Sequence, residues 1–270
     1  IIGCPVSHSL SPLIHNFWLK KFNINAKYTP IHVENSELEK KLIRIKKNNF
    51  LGFNVTIPHK ENIIPFLDLL DSNAKNIGAV NTVILNSDGK LIGRNTDGFG
   101  FIENLKNVFP NFDPSLGPAA VIGAGGAARS ICFSLKDKGC NEIRIISRRK
   151  QQAENLAYDL GNCASAYGFK ENYKIALKNL TLFVNTSPMG MKGFSWDGID
   201  LELISSNTLI YDIVYKPEET YLIKVAKMQG NNYVTGIGML LYQAIPCFKW
   251  WFGKEPFVDE DLKKIIRKEL

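Results

Sequence analysis

The side chains best suited to chemistry in this chain are a lysine and an aspartate within its first hundred residues. Lys60 closes the segment NVTIPHK at residues 54–60, and Asp97 lies in NTDG at residues 95–98. A lysine can donate a proton to a carbonyl oxygen whose carbon receives hydride, because desolvation lowers its pKa and its three donors reorient freely. Judged by residue type and position alone, a lysine or aspartate in such a segment is more often an ordinary surface residue or a helix cap than a catalytic group. The pair is therefore a hypothesis for acid–base catalysis.

The positions of these residues follow from the predicted strands. Residues 50–56 form an apolar β pattern directly before Lys60, and ligands bind at the carboxyl ends of strands in parallel α/β sheets. Asp97 follows another strand of the same predicted sheet, so the two side chains are expected to converge. After the first strand, Ser9 and Ser11 offer hydroxyls to a carboxylate or polyhydroxylated ligand, and capping of the helix that starts near Pro12 is an equal alternative.

A glycine-rich segment, GAGGAA at residues 123–128, lies between an apolar strand at 119–122 and a predicted helix at 127–138. In such a turn the first glycine permits the tight bend and the second lets the backbone approach a pyrophosphate. The small Ala128 lets the helix lie close to the strand, and the helix amides meet the phosphate charge. The segment predicts a dinucleotide site, and with Lys60 and Asp97 it predicts a small dehydrogenase.

The second strand of this half ends at Ser147, Arg148 and Arg149, where an NAD-preferring site usually carries an acid for the ribose 2′-hydroxyl. Guanidinium groups there suit a 2′-phosphate, which favours NADP over NAD. The alternative is a solvated helix start. It is disfavoured because positive charge opposes the dipole at a helix N-terminus unless an anion compensates it.

The order of predicted elements gives an α/β protein of two domains. The first is an α/β domain with a mostly parallel sheet and an antiparallel edge hairpin around NSDG at residues 86–89, and Ser36 is predicted to start a helix as part of a capping box. The second is a Rossmann-type dinucleotide-binding domain. The predicted limits are 1–98 for the substrate-binding domain, completed by C-terminal helices at 239–270 that pack back on it, 99–118 for a connecting helix and linker, and 119–238 for the Rossmann domain.

Composition narrows the class of protein. A chain of 270 residues with 45% hydrophobic residues can bury two cores. Its net charge of +7 is spread among acidic residues, so nucleic acid is not an expected partner. The sequence has no apolar run of 18 residues, so a membrane is not an expected partner either. Five scattered cysteines without a Cys-x-x-Cys pair indicate a reducing, cytoplasmic location. His8 and His15 lack a third ligand at suitable spacing, so no metal is expected.

Several segments together resemble the shikimate dehydrogenase family, nearly end to end and in family order. The matching segments are GCPVSHSLSPLIHN at 3–16, NVTIPHK at 54–60, GAVNT at 78–82, GRNTDG at 93–98, GAGGAAR at 123–129, NTSPMGM at 185–191, DIVY at 212–215 and GIGMLLYQA at 236–244. The resemblance implies NADPH-dependent, reversible reduction of 3-dehydroshikimate to shikimate, on the route to chorismate and the aromatic amino acids, by a monomer or homodimer.

The resemblance also implies roles for individual residues. Lys60 is expected to be the catalytic acid/base and Asp97 its partner. The residues expected to hold the substrate are Ser9, Ser11, Thr56, Asn81, Tyr215 and Gln243. Those expected to line the cofactor are Gly123, Ala124, Gly125, Gly126, Ala127, Ser147, Arg148, Arg149, Ile213 and Gly236.

Two departures from the family pattern bear on cofactor choice. The family commonly has Asn-Arg-Thr where this chain has Ser147, Arg148 and Arg149, and Gln152 stands where another base is frequent. The central arginine is kept, so NADP remains the expected cofactor. Three alternatives stay open: a quinate/shikimate dehydrogenase that uses NAD, a non-catalytic homologue that binds NADP or a metabolite, and a folate-pathway dehydrogenase of similar shape.

Overall fold

The computed structural model describes residues 1–270, which divide into two compact units. The first comprises Ile1–Gly100 and Leu240–Glu269, and the second comprises Phe101–Met239 with Leu270. None of the helices combines the length and the apolar character needed to cross a lipid bilayer.

Strands and helices alternate through most of the chain. The strands are β1 (Ile2–Gly3), β2 (Ile31–His32), β3 (Gly52–Asn54), β4 (Leu69–Leu70), β5 (Thr82–Leu85), β6 (Leu91–Arg94), β7 (Ala119–Ile122), β8 (Ile143–Ser147), β9 (Ala164–Gly168), β10 (Leu182–Asn185), β11 (Leu209–Asp212) and β12 (Tyr233–Val234). The helices are α1 (Ser11–Lys21), α2 (Leu38–Lys46), α3 (His59–Asn62), α4 (Ser72–Ile77), α5 (Asp97–Val108), α6 (Gly126–Asp137), α7 (Lys150–Leu160), α8 (Tyr173–Ala176), α9 (Tyr221–Gln229), α10 (Gly236–Phe252) and α11 (Glu260–Arg267).

The first unit contains short strands of mixed direction. Strands β1 and β2 pair in parallel, and Ile2 of β1 forms a parallel bridge with Val55 just after β3. A four-stranded sheet has the order β3-β5-β6-β4, in which β5 is antiparallel to both neighbours and β4 is parallel to β6. The predicted antiparallel hairpin, β5–β6, is therefore confirmed, but its predicted edge position is wrong, because β3 pairs with β5 and β4 pairs with β6 on its two outer sides. The predicted parallel pairing holds for β1, β2 and β4.

The core of the first unit has an aliphatic part and an aromatic part. Aliphatic side chains of the strands pack against α2, and helix α10 contributes aromatic rings to a second group around His15. The His15 ring stacks on Tyr28 with centroids 4.3 Å apart and is fully buried. Burial lowers the pKa of His15 to about 3, so this imidazole is neutral. It is a core residue, and neither of its nitrogens has a polar partner.

The second unit is built on a six-stranded parallel sheet with the order β12-β11-β10-β7-β8-β9. Every residue of β7, β10 and β11 is buried, as expected for strands covered on both faces. Along β7, Ala119 and Val121 join the core on one face, and Ala120 and Ile122 join the core on the other. The predicted α/β class with a Rossmann-type domain is confirmed.

Three local expectations differ from the structure. Ser36 does not cap α2, because a 3₁₀ turn at Asn35–Glu37 precedes the helix and no side chain bonds to its first amides. Helix α1 starts at Ser11 without a side-chain cap, and the Ser9 hydroxyl instead accepts the Ser11 amide at 3.2 Å. Strand β9 at the sheet edge has no counterpart in the predicted elements, because its sequence, ASAYG, lacks β-branched residues.

Candidate active site

The structure brings Lys60 and Asp97 into direct contact. Lys60 lies on the short helix α3, Asp97 is the first residue of α5, and Lys60 Nζ donates a hydrogen bond to Asp97 Oδ2. Their side chains are 16% and 7% exposed, so the ion pair is largely removed from solvent but still accessible to a small ligand. Low exposure strengthens such a pair, because water and salt screen it less. A lysine held on a carboxylate keeps two further N–H donors for a ligand.

A buried amide orients the carboxylate of this pair. Asn81 Nδ2 donates to Asp97 Oδ1 at 2.8 Å, so the two carboxylate oxygens have different partners. The side-chain oxygen of Asn81, Oδ1, accepts hydrogen bonds from the Thr96 backbone amide at 2.9 Å and from the Thr82 hydroxyl at 2.9 Å. Asn81 therefore fixes Asp97 from the position just before β5.

Helix α10 contributes to the same buried network within the first unit. Gln243 Oε1 lies 3.3 Å from Asn81 Nδ2 and 3.4 Å from the Thr96 hydroxyl. One turn further on, Cys247 Sγ lies 3.0 Å from the Thr82 hydroxyl. Burial raises the pKa of the Cys247 thiol, so it serves here as a neutral hydrogen-bonding group. Thr82, Thr96 and Cys247 were not among the predicted site residues, because only the contacts of the two threonines with Asn81, and of Cys247 with the two threonines, reveal them.

The other predicted substrate residues have different surroundings. Ser11 is buried, while Ser9 and Thr56 are half-buried and therefore reachable by a ligand. Thr56 is held by backbone, since its amide donates to Ile2 O at 3.0 Å and its carbonyl accepts the His59 amide at 2.9 Å. Tyr215 belongs to the second unit, three residues after β11.

The glycine-rich segment connects β7 to α6 as the sequence predicts. Gly123 has φ +111°, and a Cβ there would collide with the Thr186 hydroxyl. Gly125 precedes the helix in an extended conformation, and Gly126 is its first residue, so no side chain covers the first amides of α6. Ala128 is buried in the core beneath this turn. The result is a backbone cradle at a helix N-terminus, which suits a pyrophosphate.

Two other predicted cofactor residues lie against each other. A Cβ on Gly236 would collide with Ile213 O, so only glycine allows the start of α10 to approach the end of β11 this closely. Both residues lie at the carboxyl edge of the parallel sheet, beyond β12 and β11 respectively. Ile213 is half-buried, which leaves part of its side chain available to a ligand.

The basic run after β8 leaves two guanidinium groups without an acidic partner. Lys150 forms an ion pair with Glu171 at 2.6 Å, whereas Arg148 and Arg149 are exposed and form none. Ser147 is buried, and its hydroxyl accepts the Arg149 amide at 3.2 Å. No acidic residue stands in the first turn of α7. This helix start therefore carries uncompensated positive charge, as a 2′-phosphate site requires.

A buried carboxylate organises the loops at the same sheet edge. Asp212, the last residue of β11, accepts hydrogen bonds from Asn185 Nδ2 at 2.9 Å, from the Val214 amide at 3.0 Å and from the Thr220 hydroxyl at 2.6 Å. Burial raises the pKa of Asp212 to about 6, because it disfavours the charged carboxylate. The three hydrogen bonds favour the ionised form and offset only part of this effect. No local pattern in the sequence signals this role.

Comparison with known proteins places the chain in a family. The family model for the shikimate dehydrogenase substrate binding domain matches residues 1–83. A protein of Paramagnetospirillum magneticum named shikimate dehydrogenase (NADP(+)) is 44% identical over 266 residues, which cover 98% of this chain and 96% of the relative. This chain belongs to the shikimate dehydrogenase family.

Solved structures of similar fold include members with different cofactors. Shikimate 5-dehydrogenase from Thermus thermophilus, in complex with NADP(H) and shikimate, matches with a TM-score of 0.87 and 33% identity, covering 100% of this chain and 98% of that one. Quinate dehydrogenase from Corynebacterium glutamicum, in complex with NAD, matches with a TM-score of 0.87 and 25% identity, covering 98% and 97%. The shikimate dehydrogenase fold is thus shared by proteins that differ in ring acid and in nicotinamide cofactor.

Replacing Asp212 with asparagine should change how stability depends on pH. The folded-state pKa of about 6 lies above the ordinary value of 3.8, so the unfolded chain loses this proton first as pH rises. The wild type therefore loses stability between about pH 4 and pH 6 through this group. The unfolding free energy of the wild type, compared with that of Asp212→Asn, should therefore fall by on the order of 3 kcal/mol between pH 4 and pH 7. Denaturant titration at each pH measures both values.

The matched control is Asp137→Asn at the exposed end of α6. Because this side chain is exposed, the difference in unfolding free energy between this variant and the wild type should be small throughout the same range. If the difference in unfolding free energy between the wild type and Asp212→Asn does not change between pH 4 and pH 7, the raised pKa of Asp212 is contradicted.

Proposed function

We propose that this protein is an NADP-dependent shikimate dehydrogenase, which reversibly reduces 3-dehydroshikimate to shikimate in chorismate and aromatic amino acid biosynthesis. The observation that carries the proposal is the partly buried contact between Lys60 and Asp97, fixed by Asn81, in a chain of this family. A cytoplasmic location, in keeping with five free cysteines, and a monomeric or homodimeric state are parts of the proposal.

Lys60 is proposed as the acid and base of the reaction. In the reducing direction its ammonium group donates a proton to the substrate oxygen, and in the oxidising direction its neutral amine removes the hydroxyl proton. Asp97 holds Lys60 through Oδ2 and can accept a substrate hydroxyl, since Asn81 occupies only one position on Oδ1. Further hydrogen bonds to the ring hydroxyls and carboxylate are assigned to Ser9, Ser11, Thr56, Asn81, Tyr215 and Gln243.

The second unit fits a dinucleotide phosphate. Gly123 has a positive φ and no room for a Cβ, which would collide with Thr186, so bare backbone lies ahead of α6. Arg148 and Arg149 lack acidic partners at the start of α7. NADP, when bound, supplies or accepts the hydride. Its pyrophosphate is assigned to the backbone at Gly123, Ala124, Gly125, Gly126 and Ala127, its 2′-phosphate to Ser147, Arg148 and Arg149, and its nicotinamide end to Ile213 and Gly236. We assign substrate binding to 1–98 with 239–270, the connection to 99–118, and NADP binding to 119–238.

The test of this function is absorbance in the reduced-nicotinamide band with shikimate or quinate and NADP or NAD, in all four pairings. We expect turnover confined largely to shikimate with NADP. The second candidate is a quinate/shikimate dehydrogenase that uses NAD, which the similarity to the quinate dehydrogenase structure supports. Turnover of quinate with NAD would favour it, and absence of turnover in all four pairings would reject both.

Lys60→Ala should lower kcat for shikimate oxidation by about 10²–10⁴-fold, because it removes the group that transfers the proton. The shikimate KM should change little, since the remaining hydrogen-bonding side chains are kept. Steady-state kinetics in both directions measure both constants. The control is Lys75→Ala on α4, which removes an exposed lysine of the same unit. Wild-type kcat in Lys60→Ala would remove this residue from the mechanism.

Arg148→Ala should raise the KM for NADP about tenfold or more and leave the KM for NAD nearly unchanged, because only NADP carries the 2′-phosphate that the guanidinium would bind. Initial rates with each cofactor at saturating shikimate give the comparison. Arg44→Ala on α2 is the control for loss of an exposed arginine. Equal increases in the two constants would exclude the 2′-phosphate assignment.

A further inference from the structure

Three side chains with metal-binding atoms converge in the first unit, apart from the Lys60–Asp97 pair. Cys4 Sγ lies 3.5 Å from His32 Nε2 and 3.6 Å from Glu34 Oε1. His32 Nε2 and Glu34 Oε1 lie 3.1 Å apart. Cys4 is half-buried and the other two are exposed, so an ion could reach all three from solvent. No spacing in the sequence signals this group, because β1 and β2 bring Cys4 to His32 from 28 residues away.

These separations match those of ligands around a tetrahedral zinc ion. With bonds of about 2.3 Å to sulfur, 2.0–2.1 Å to nitrogen and 2.0–2.2 Å to oxygen, tetrahedral ligand atoms stand about 3.3–3.6 Å apart. The two distances from the sulfur fall in this range or at its limit, and the nitrogen–oxygen distance is about 0.2 Å shorter. One ion could therefore contact all three atoms with only small side-chain movements.

The backbone around the three residues is fixed by hydrogen bonds. Gly3 and His32 are register partners in the β1–β2 pair, and the Val33 amide donates to Gly3 O at 3.1 Å. The Cys4 amide donates to Ile57 O at 2.9 Å. Glu34 precedes a 3₁₀ turn whose first bond runs from the Glu37 amide to Glu34 O. The arrangement is thus present before any ion binds, which lowers the conformational cost of binding.

We propose that Cys4, His32 and Glu34 form a three-ligand site for Zn²⁺, with the fourth position open to water. A thiolate, an imidazole and a carboxylate suit zinc, whereas Mg²⁺ and Ca²⁺ favour sites made of oxygen atoms. In the ion-free protein the Cys4 thiol donates to Glu34, and on coordination this proton passes to solvent as the thiolate binds the metal. The proposal is independent of the proposed enzymatic function, because none of the three residues is assigned to substrate or cofactor.

The site has structural links to the substrate side of the unit. His59, next to Lys60, donates from its ring to Val33 O at 2.7 Å, between two of the ligands. Gly3, next to Cys4, packs against the Thr56 side chain so closely that a Cβ on it would collide. An ion would therefore brace the segment that carries Thr56 and Lys60.

The test is metal binding to the full-length protein with Zn²⁺ and Co²⁺ as probes. Titration of Zn²⁺ by calorimetry should show one site per chain. Co²⁺ should produce a thiolate-to-metal charge-transfer band, which reports coordination by sulfur. Cys4→Ser should abolish this band, and His32→Gln and Glu34→Gln should each weaken Zn²⁺ binding about tenfold or more.

Matched variants separate this site from nonspecific binding. Cys163→Ser, His8→Gln and Glu37→Gln remove the same chemical groups elsewhere in the chain and should leave the affinity and the band unchanged. Zn²⁺ should also raise the Tm of the wild type but not of Cys4→Ser, because the three ligands meet only in the folded state. If Cys4→Ser folds poorly, Glu34→Gln serves in its place. No charge-transfer band, or equal binding by the site variants and the controls, would overturn the proposal.

Discussion

The first unit depends on how one buried amide is satisfied. Asn81 uses both ends of its side chain to join the start of β5, the turn before α5 and the middle of α10. Loss of a partner would leave a polar group buried without a hydrogen bond, which costs about 1–3 kcal/mol. The three segments are therefore constrained together, and the Asp97 carboxylate takes its orientation from that constraint. Packing alone would place these elements without defining the direction of the carboxylate.

The two units prepare their ligand sites by different physical means. The first uses a network of neutral side chains around one partly buried ion pair. The second uses bare backbone at Gly123 and charges that lack partners at Arg148 and Arg149. A polyhydroxylated acid needs directional donors and acceptors, whereas a dinucleotide needs close approach and positive charge. The separate roles proposed for the two units agree with this difference.

Sequence reasoning succeeded where a local pattern determines the structure and failed where contacts are remote. The strand–turn–helix at Gly123 is local, so β7 and α6 were predicted to within a residue or so. Strand β9 was missed because its pairing with β8 outweighs a weak intrinsic preference, and the capping role of Ser36 was wrong because a 3₁₀ turn replaced it. The partners of Asp212 include Asn185 at the end of β10, which is 27 residues away along the chain, and no spacing rule connects the two.

The exposed position of Arg148 and Arg149 has a consequence for cofactor choice in different media. Charges at the surface are screened over about 10 Å at 0.1 M ionic strength and over shorter distances in more concentrated salt. In the proposed binding mode, the attraction between these guanidinium groups and a 2′-phosphate is therefore sensitive to the electrolyte, whereas the backbone proposed to hold the pyrophosphate at Gly123 would serve either dinucleotide. Under that proposal, discrimination between the two nicotinamide cofactors is a property of the solution as well as of the protein, and it narrows as the salt concentration rises.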